Sequence, residues 1–177
     1  MPIKIQEDLP ARAVLEGENV DLIVSGEAVK QDIRPLKLLL LNLMPKKKET
    51  EIQFARLLGN SPLQVELTLM TTASYTPRNT EPGYLRRYYR NLDDVRDDFF
   101  DAIIITGAPV ETMEFQDVNY WPELQEIFDW SKTHCFRRLG ICWGAQALLN
   151  HLHDVPKHGL DAKCFGVFDH QVTDFMS

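Results

Sequence analysis

Gly140-Ile141-Cys142-Trp143-Gly144 follows an apolar run, Phe136 to Ile141, and precedes an apolar-periodic one made of Ala145, Leu148, Leu149 and Leu152. A strand-like run, a sharp turn and a helical stripe compose the strand-turn-helix unit from which α/β sheets are built. A nucleophile raised on such a turn needs small residues two places before and two places after it, because neighbouring backbones approach closely there. Gly140 and Gly144 hold both places, which makes Cys142 the candidate nucleophile. The N-terminus of the following helix favours an anion, which suits a reacting sulfur. A free cysteine is often no more than a small hydrophobe in a core strand. Glycines at both elbow positions and an apolar helix behind them weigh towards the nucleophile.

Working outward, Leu36 to Leu43 (LKLLLLNL) is a short continuous apolar run stopped by Met44-Pro45, as expected of a strand buried on both faces of a parallel sheet. Thr50 and Gln53 suggest a capping box, Ile52, Ala55, Leu57 and Leu58 an apolar stripe, and Gly59-Asn60 a helix end. Gln64 to Met70 is the next strand candidate, and Thr71 to Gly83 reads as an irregular connection. A short charged helix is expected around Leu85 to Asp97, with Tyr84, Tyr88 and Tyr89 as packing groups. Phe100 to Ile105 is a further buried strand, ending in the Thr106-Gly107-Ala108-Pro109 loop. Asn119 to Lys132 carries Trp121, Leu124, Ile127, Phe128 and Trp130 at helical spacing, and Cys164 to Val172 is β-like. Strands alternating with helices predict a doubly wound, mostly parallel α/β sheet in one domain spanning residues 1–177.

The composition bounds the function. A formal charge of −7 argues against nucleic acid as a main partner. Two basic clusters, Lys46-Lys47-Lys48 and Arg86-Arg87 with Arg90, are expected to be solvated faces, or to meet the phosphates of a small anionic ligand. Cys135, Cys142 and Cys164 show neither disulfide-framework nor zinc-ligand spacing, which favours a reducing cytoplasm and no metal site. No signal peptide or bilayer-length apolar run occurs, so a soluble, unanchored protein is expected.

In doubly wound sheets ligands collect beyond the carboxyl ends of the strands. That rule brings together Pro45 to Thr50, Thr106 to Glu111 and the Cys142 elbow. The Gly107 turn is then placed to offer a backbone amide which, with that of Trp143, receives the oxyanion of a tetrahedral intermediate. The elbow by itself is compatible with hydrolase, amidotransferase or acyltransferase chemistry.

Arg34-Pro-Leu-Lys, Leu41-Asn-Leu-Met-Pro-Lys-Lys, Asn60-Ser-Pro-Leu-Gln-Val, Thr106-Gly-Ala-Pro, Tyr120-Trp-Pro, Trp130-Ser and Cys142-Trp, in this order and spacing, resemble the homoserine O-acyltransferases of methionine biosynthesis. The likeness runs from Pro2 to about Val172. It implies a flavodoxin-like fold akin to class I glutamine amidotransferases and a ping-pong reaction. The resemblance implies that Cys142 takes an acyl group from acyl-CoA as a thioester and passes it to an amino-acid hydroxyl. It further implies that Lys163 contacts the amino-acid substrate, that Lys46 belongs to the active-site loop, and that position 111 separates acyl donors. In that family glycine there leaves room for succinyl, whereas glutamate accompanies acetyl transfer, so Glu111 implies acetyl-CoA. The resemblance leaves homoserine or serine as the expected acceptor, one methylene apart, a difference worth only about 1 to 3 kcal/mol in a pocket. The expected partners are these small molecules, with neither nucleic acid nor membrane, and a homodimer is a further option; acetyl-CoA is expected as co-substrate and no permanently bound cofactor.

The resemblance also implies a catalytic histidine and glutamate in a His-x-Glu arrangement, further along such chains than residue 177. No His-x-Glu occurs here, and His134, His151, His153, His158 and His170 match no such base. The sequence is therefore expected to be the N-terminal, C-terminally incomplete part of an acetyltransferase. The alternatives are a catalytically silent fragment that keeps a CoA or amino-acid pocket, and an amidotransferase-like cysteine hydrolase.

Overall fold

The computed structural model describes residues 3–20, 22–24, 34–60, 63–75, 80–162, 164, 166–169 and 171. Along the chain run β1 (Ile3–Ile5), α1 (Ala11–Gly17), β2 (Leu22–Val24), β3 (Leu36–Leu41), α2 (Lys47–Gly59), β4 (Val65–Met70) and α3 (Pro82–Tyr88). There follow β5 (Tyr89–Arg90), α4 (Leu92–Val95), β6 (Phe100–Ile105), a 3-10 turn (Phe115–Asp117), α5 (Trp121–His134), β7 (Cys135–Gly140) and α6 (Trp143–His153). The strands form one sheet in the order β2-β1-β4-β3-β6-β7, with β5 beside the end of β4. Every pairing is parallel.

The sheet is doubly wound. Leu38, Leu40, Leu67, Leu69 and Ile104 face α1, α2 and α3 through Leu15, Ala55 and Tyr84. Leu39, Leu41, Met70, Ile103 and Ile105 face α4, α5 and α6 through Val95, Phe128 and Trp143. Adjacent residues of β3 and β6 thus enter opposite cores, which is why both strands read as unbroken apolar runs.

Several expectations need correction. α2 starts at Lys47, three residues before the expected cap: Thr50 lies in its first turn and donates to the Lys46 carbonyl at 3.1 Å, so Thr50 and Gln53 form no capping box. Leu57 stands outside the apolar stripe, 71% exposed. The single helix expected around Leu85 to Asp97 is two, separated by β5, because Asn91 stops the chain and opens α4 with a capping box to Asp94. β7 is offset by one residue from the apolar run that predicted it, and Phe136, Arg137, Arg138 and Leu139 are exposed on it. Cys164, Gly166–Asp169 and Gln171, the described part of the β-like run, form no strand. The sequence pattern does not reach β1, α1 and β2: three-residue strands and a seven-residue helix are too short for periodicity to declare them.

Candidate active site

The carboxyl ends of β3, β6 and β7 are locked side by side. The Thr106 amide donates to Leu41 O at 3.1 Å, the Leu43 amide to Thr106 Oγ1 at 2.8 Å, and the Ile141 amide to Ile105 O at 2.9 Å. On this platform the chain turns sharply at Cys142, with φ 55° and ψ −125°, a backbone region that L side chains rarely adopt. The turn demands both flanking glycines. A Cβ on Gly140 would lie 2.5 Å from Ala145 Cα, and one on Gly144 2.5 Å from Thr106 O and 2.8 Å from Ile105 O. Behind the elbow Trp143 is fully buried, in aromatic contact with Phe115, Tyr120 and Trp121 at centroid distances of 5.9, 6.4 and 6.4 Å. Its indole Nε1 has no hydrogen-bond partner among the described residues.

Cys142 is exposed at a cavity of about 1060 Å³, which is also lined by Gly107, Glu111, Gln146, His158 and Cys164. The loops after β3, β6 and β7 therefore do converge. Gly107 stands directly against Cys142, where an added Cβ would be 3.3 Å from Sγ. Trp143 opens α6, so by position its amide has no acceptor within the helix. The volume is at the upper end of ordinary small-molecule sites. By contrast, Cys135 is buried in the core, and burial pushes its thiol up to about 12.

Of the remaining residues singled out in the sequence, Glu111 lies on the cavity rim, and Lys163 lies outside the described residues. Lys46 caps α2 and is exposed, its Nζ paired with Glu49 at 3.2 Å; it is Thr50, Gln53 and Phe54 of that helix that reach the cavity. His134 is stacked on Trp130 and Phe99, and His151 pairs with Asp129 at 3.0 Å, so both serve packing. His170 lies outside the described residues.

The second lysine of the Lys46-Lys47-Lys48 run is the one that goes inside. Lys47 is buried, donates to the Asn42 carbonyl, and is pushed down to about 8 by desolvation, against the pull of Glu51. Glu51 is also buried and accepts from the hydroxyls of Tyr84 and Tyr89, each at 2.5 Å. Burial raises its carboxyl above the ordinary range despite those two bonds. Tyr84 and Tyr89 thus do more than pack, as does Tyr88, whose hydroxyl donates to the Asp8 carbonyl at 2.7 Å. Charge alternation hid this cluster, since Lys-Lys-Lys-Glu-Thr-Glu reads as a solvated face.

The homoserine O-succinyltransferase family matches the chain over residues 2–176. A protein of Clostridium beijerinckii named homoserine O-acetyltransferase is 55% identical over 174 residues, covering 98% of this chain and 57% of its own length. Proteins of the same name from Rhizorhabdus wittichii and Hyphomonas neptunium are 54% and 51% identical, covering 97% and 100% of this chain and 54% and 58% of their own lengths. The chain spans little more than half the length of these relatives. With a family match over nearly every residue and an elbow whose glycines are sterically required, the chain belongs to the homoserine O-succinyltransferase family.

Proposed function

We propose that this chain carries the acyl-accepting half of an O-acetyltransferase that moves an acetyl group from acetyl-CoA, through a Cys142 thioester, to the hydroxyl of homoserine or serine. The observation that carries the reading is Cys142 on a strained elbow, exposed at a large cavity and flanked by Gly107. The Cys142 sulfur attacks the carbonyl carbon of the donor, and the C–S bond to CoA breaks, releasing the CoA thiol. Exchange of one thioester for another is nearly isoenergetic, so a sulfur nucleophile suits a reversible relay. The oxyanion of the intermediate is assigned to the amides of Gly107 and Trp143, the latter an orphan donor at a helix N-terminus.

Glu111 supports acetyl as the acyl group. A carboxylate on the rim fills space and repels the anionic end of a succinyl donor, which is selection by exclusion rather than by added attraction. The names of the relatives agree with that donor, although the family is named for succinyl transfer. In the second half-reaction the acceptor oxygen attacks the thioester and a base takes its proton. The resemblance implies a His-x-Glu histidine for that task, and the 177 residues contain no such pair. Residues 1–177 are assigned the acylation step; the transfer step needs a base, without which it is slower by roughly 10² to 10⁴.

Mass spectrometry after incubation with acetyl-CoA tests the reading. One acetyl group on the wild-type chain and none on Cys142→Ser is expected. An unlabelled Cys142 in folded protein would defeat it.

A further inference from the structure

The segment after α6 borders the cavity through Lys157, His158 and Gly159, and one of its side chains is tied to the loop that bears Glu111. Lys157 is half-buried. Its Nζ donates to the carbonyl oxygens of Glu111, at 3.1 Å, and of Met113, and lies 5.0 Å from the ring centroid of Phe115. Phe115 is itself buried, 4.9 Å from Trp121 and 5.9 Å from Trp143 in the cluster beneath the elbow. Two of the three ammonium donors are therefore spent on one turn, and the charge rests on an aromatic face rather than pointing at a ligand.

The turn needs such a tie. Glu111, Thr112, Met113 and Glu114 are all exposed, and the backbone bonds inside the loop are Val110 N to Ala108 O at 2.9 Å and Met113 N to Val110 O at 3.0 Å. A carboxylate on an untethered loop cannot exclude a larger acyl group, because it swings aside at the cost of a few rotamers.

We infer that Lys157 is a positioning residue for donor specificity: by holding the carbonyls of Glu111 and Met113 it fixes the Glu111 carboxylate over the cavity, and so sets the preference for a short neutral acyl-CoA over a longer anionic one. The inference rests on the acetyl-transfer reading for the role of Glu111. A purely electrostatic Lys157 has the opposite sign. If its charge met the donor directly, removing it would weaken binding of the anionic donor, whereas releasing the loop strengthens it.

The test uses the full 177-residue chain as wild type, Lys157→Met and Lys157→Arg. Three quantities are measured: the rate of Cys142 labelling by acetyl-CoA and by succinyl-CoA, protection of Cys142 from iodoacetamide by each thioester, and amide hydrogen exchange across residues 108–114. In Lys157→Met the acetyl-over-succinyl preference is expected to fall about tenfold, chiefly through faster labelling and tighter protection by succinyl-CoA, as befits loss of charge-assisted hydrogen bonds. Exchange in the loop accelerates while that of β3 and β4 does not, and Lys157→Arg restores most of the preference. Labelled wild type with an unchanged or increased preference in Lys157→Met overturns the assignment of Lys157 alone. Unchanged loop exchange in that variant overturns it as well. Failure of both thioesters to label or protect wild-type Cys142 overturns the acetyl-transfer reading, and the donor role of Lys157 with it.

Discussion

Cys142 holds its positive φ against the preference of any residue with a Cβ, and such a conformation costs of order 1 to 3 kcal/mol. Replacing it with glycine removes the strain, partly offset by the greater freedom of glycine in the unfolded chain. Cys142→Gly is therefore expected to raise stability by about 1 kcal/mol, seen as a higher urea midpoint with unchanged slope, while abolishing acylation. A lowered midpoint would mean that the elbow is relaxed and its shape serves packing. The elbow was legible because steric demand leaves a mark: only glycine fits at 140 and 144, and the spacing is rare by chance. Lys157 left no mark. Its role depends on where a non-periodic segment returns in space, and Val155-Pro156-Lys157-His158 carries neither periodicity nor motif.

At the scale of elements, α2 shows how a charged run is divided by geometry. Lys46 and Glu49 pair on the solvent side, while Lys47 and Glu51, four apart, face inward to Asn42, Tyr84 and Tyr89. The helix is thereby attached to Asn42, just past the end of β3, and to α3 and β5 through the tyrosines. Glu51→Gln turns one acceptor oxygen into a donor and leaves a tyrosine hydroxyl facing it. A loss of about 2 kcal/mol is expected in chemical denaturation. No loss would show that the carboxylate is already protonated and bonded as an amide would be. The buried strands β3, β4 and β6 were readable as apolar runs, and α5 from its stripe, because burial on both faces or along one face is written in composition. The inward turn of Lys47 was not, since Lys46, Lys47 and Lys48 are chemically identical and only the helix phase separates them.

For the whole molecule, among the described residues, the sheet ends at β7, whose outer edge pairs with no other described strand and exposes Phe136 and Leu139 at 72% and 54%. Unpaired edges with large apolar side chains promote association between chains. Leu139→Lys is expected to shift the purified chain towards slower-sedimenting species at a given concentration. Identical sedimentation of variant and wild type would exonerate this edge. The alternation of strands and helices foretold the layered architecture; the position of the exposed side chains on its edge is a separate matter. Phe136-Arg137-Arg138-Leu139 is apolar only in part, and what covers an edge lies in no local pattern.

The seating of Gly144 on the carbonyls of Ile105 and Thr106 also carries a consequence in time. Those carbonyls belong to the end of β6, which pairs with β3, which in turn pairs with β4. As a chain leaves the ribosome from its N-terminus, the inner strands are available to assemble first. The elbow has nothing to close upon until β6 is in place, and parallel pairings separated by whole helices form slowly. The elbow is thus among the last features to acquire its shape, and a nascent chain stalled before that point carries Cys142 on a turn that has not yet formed.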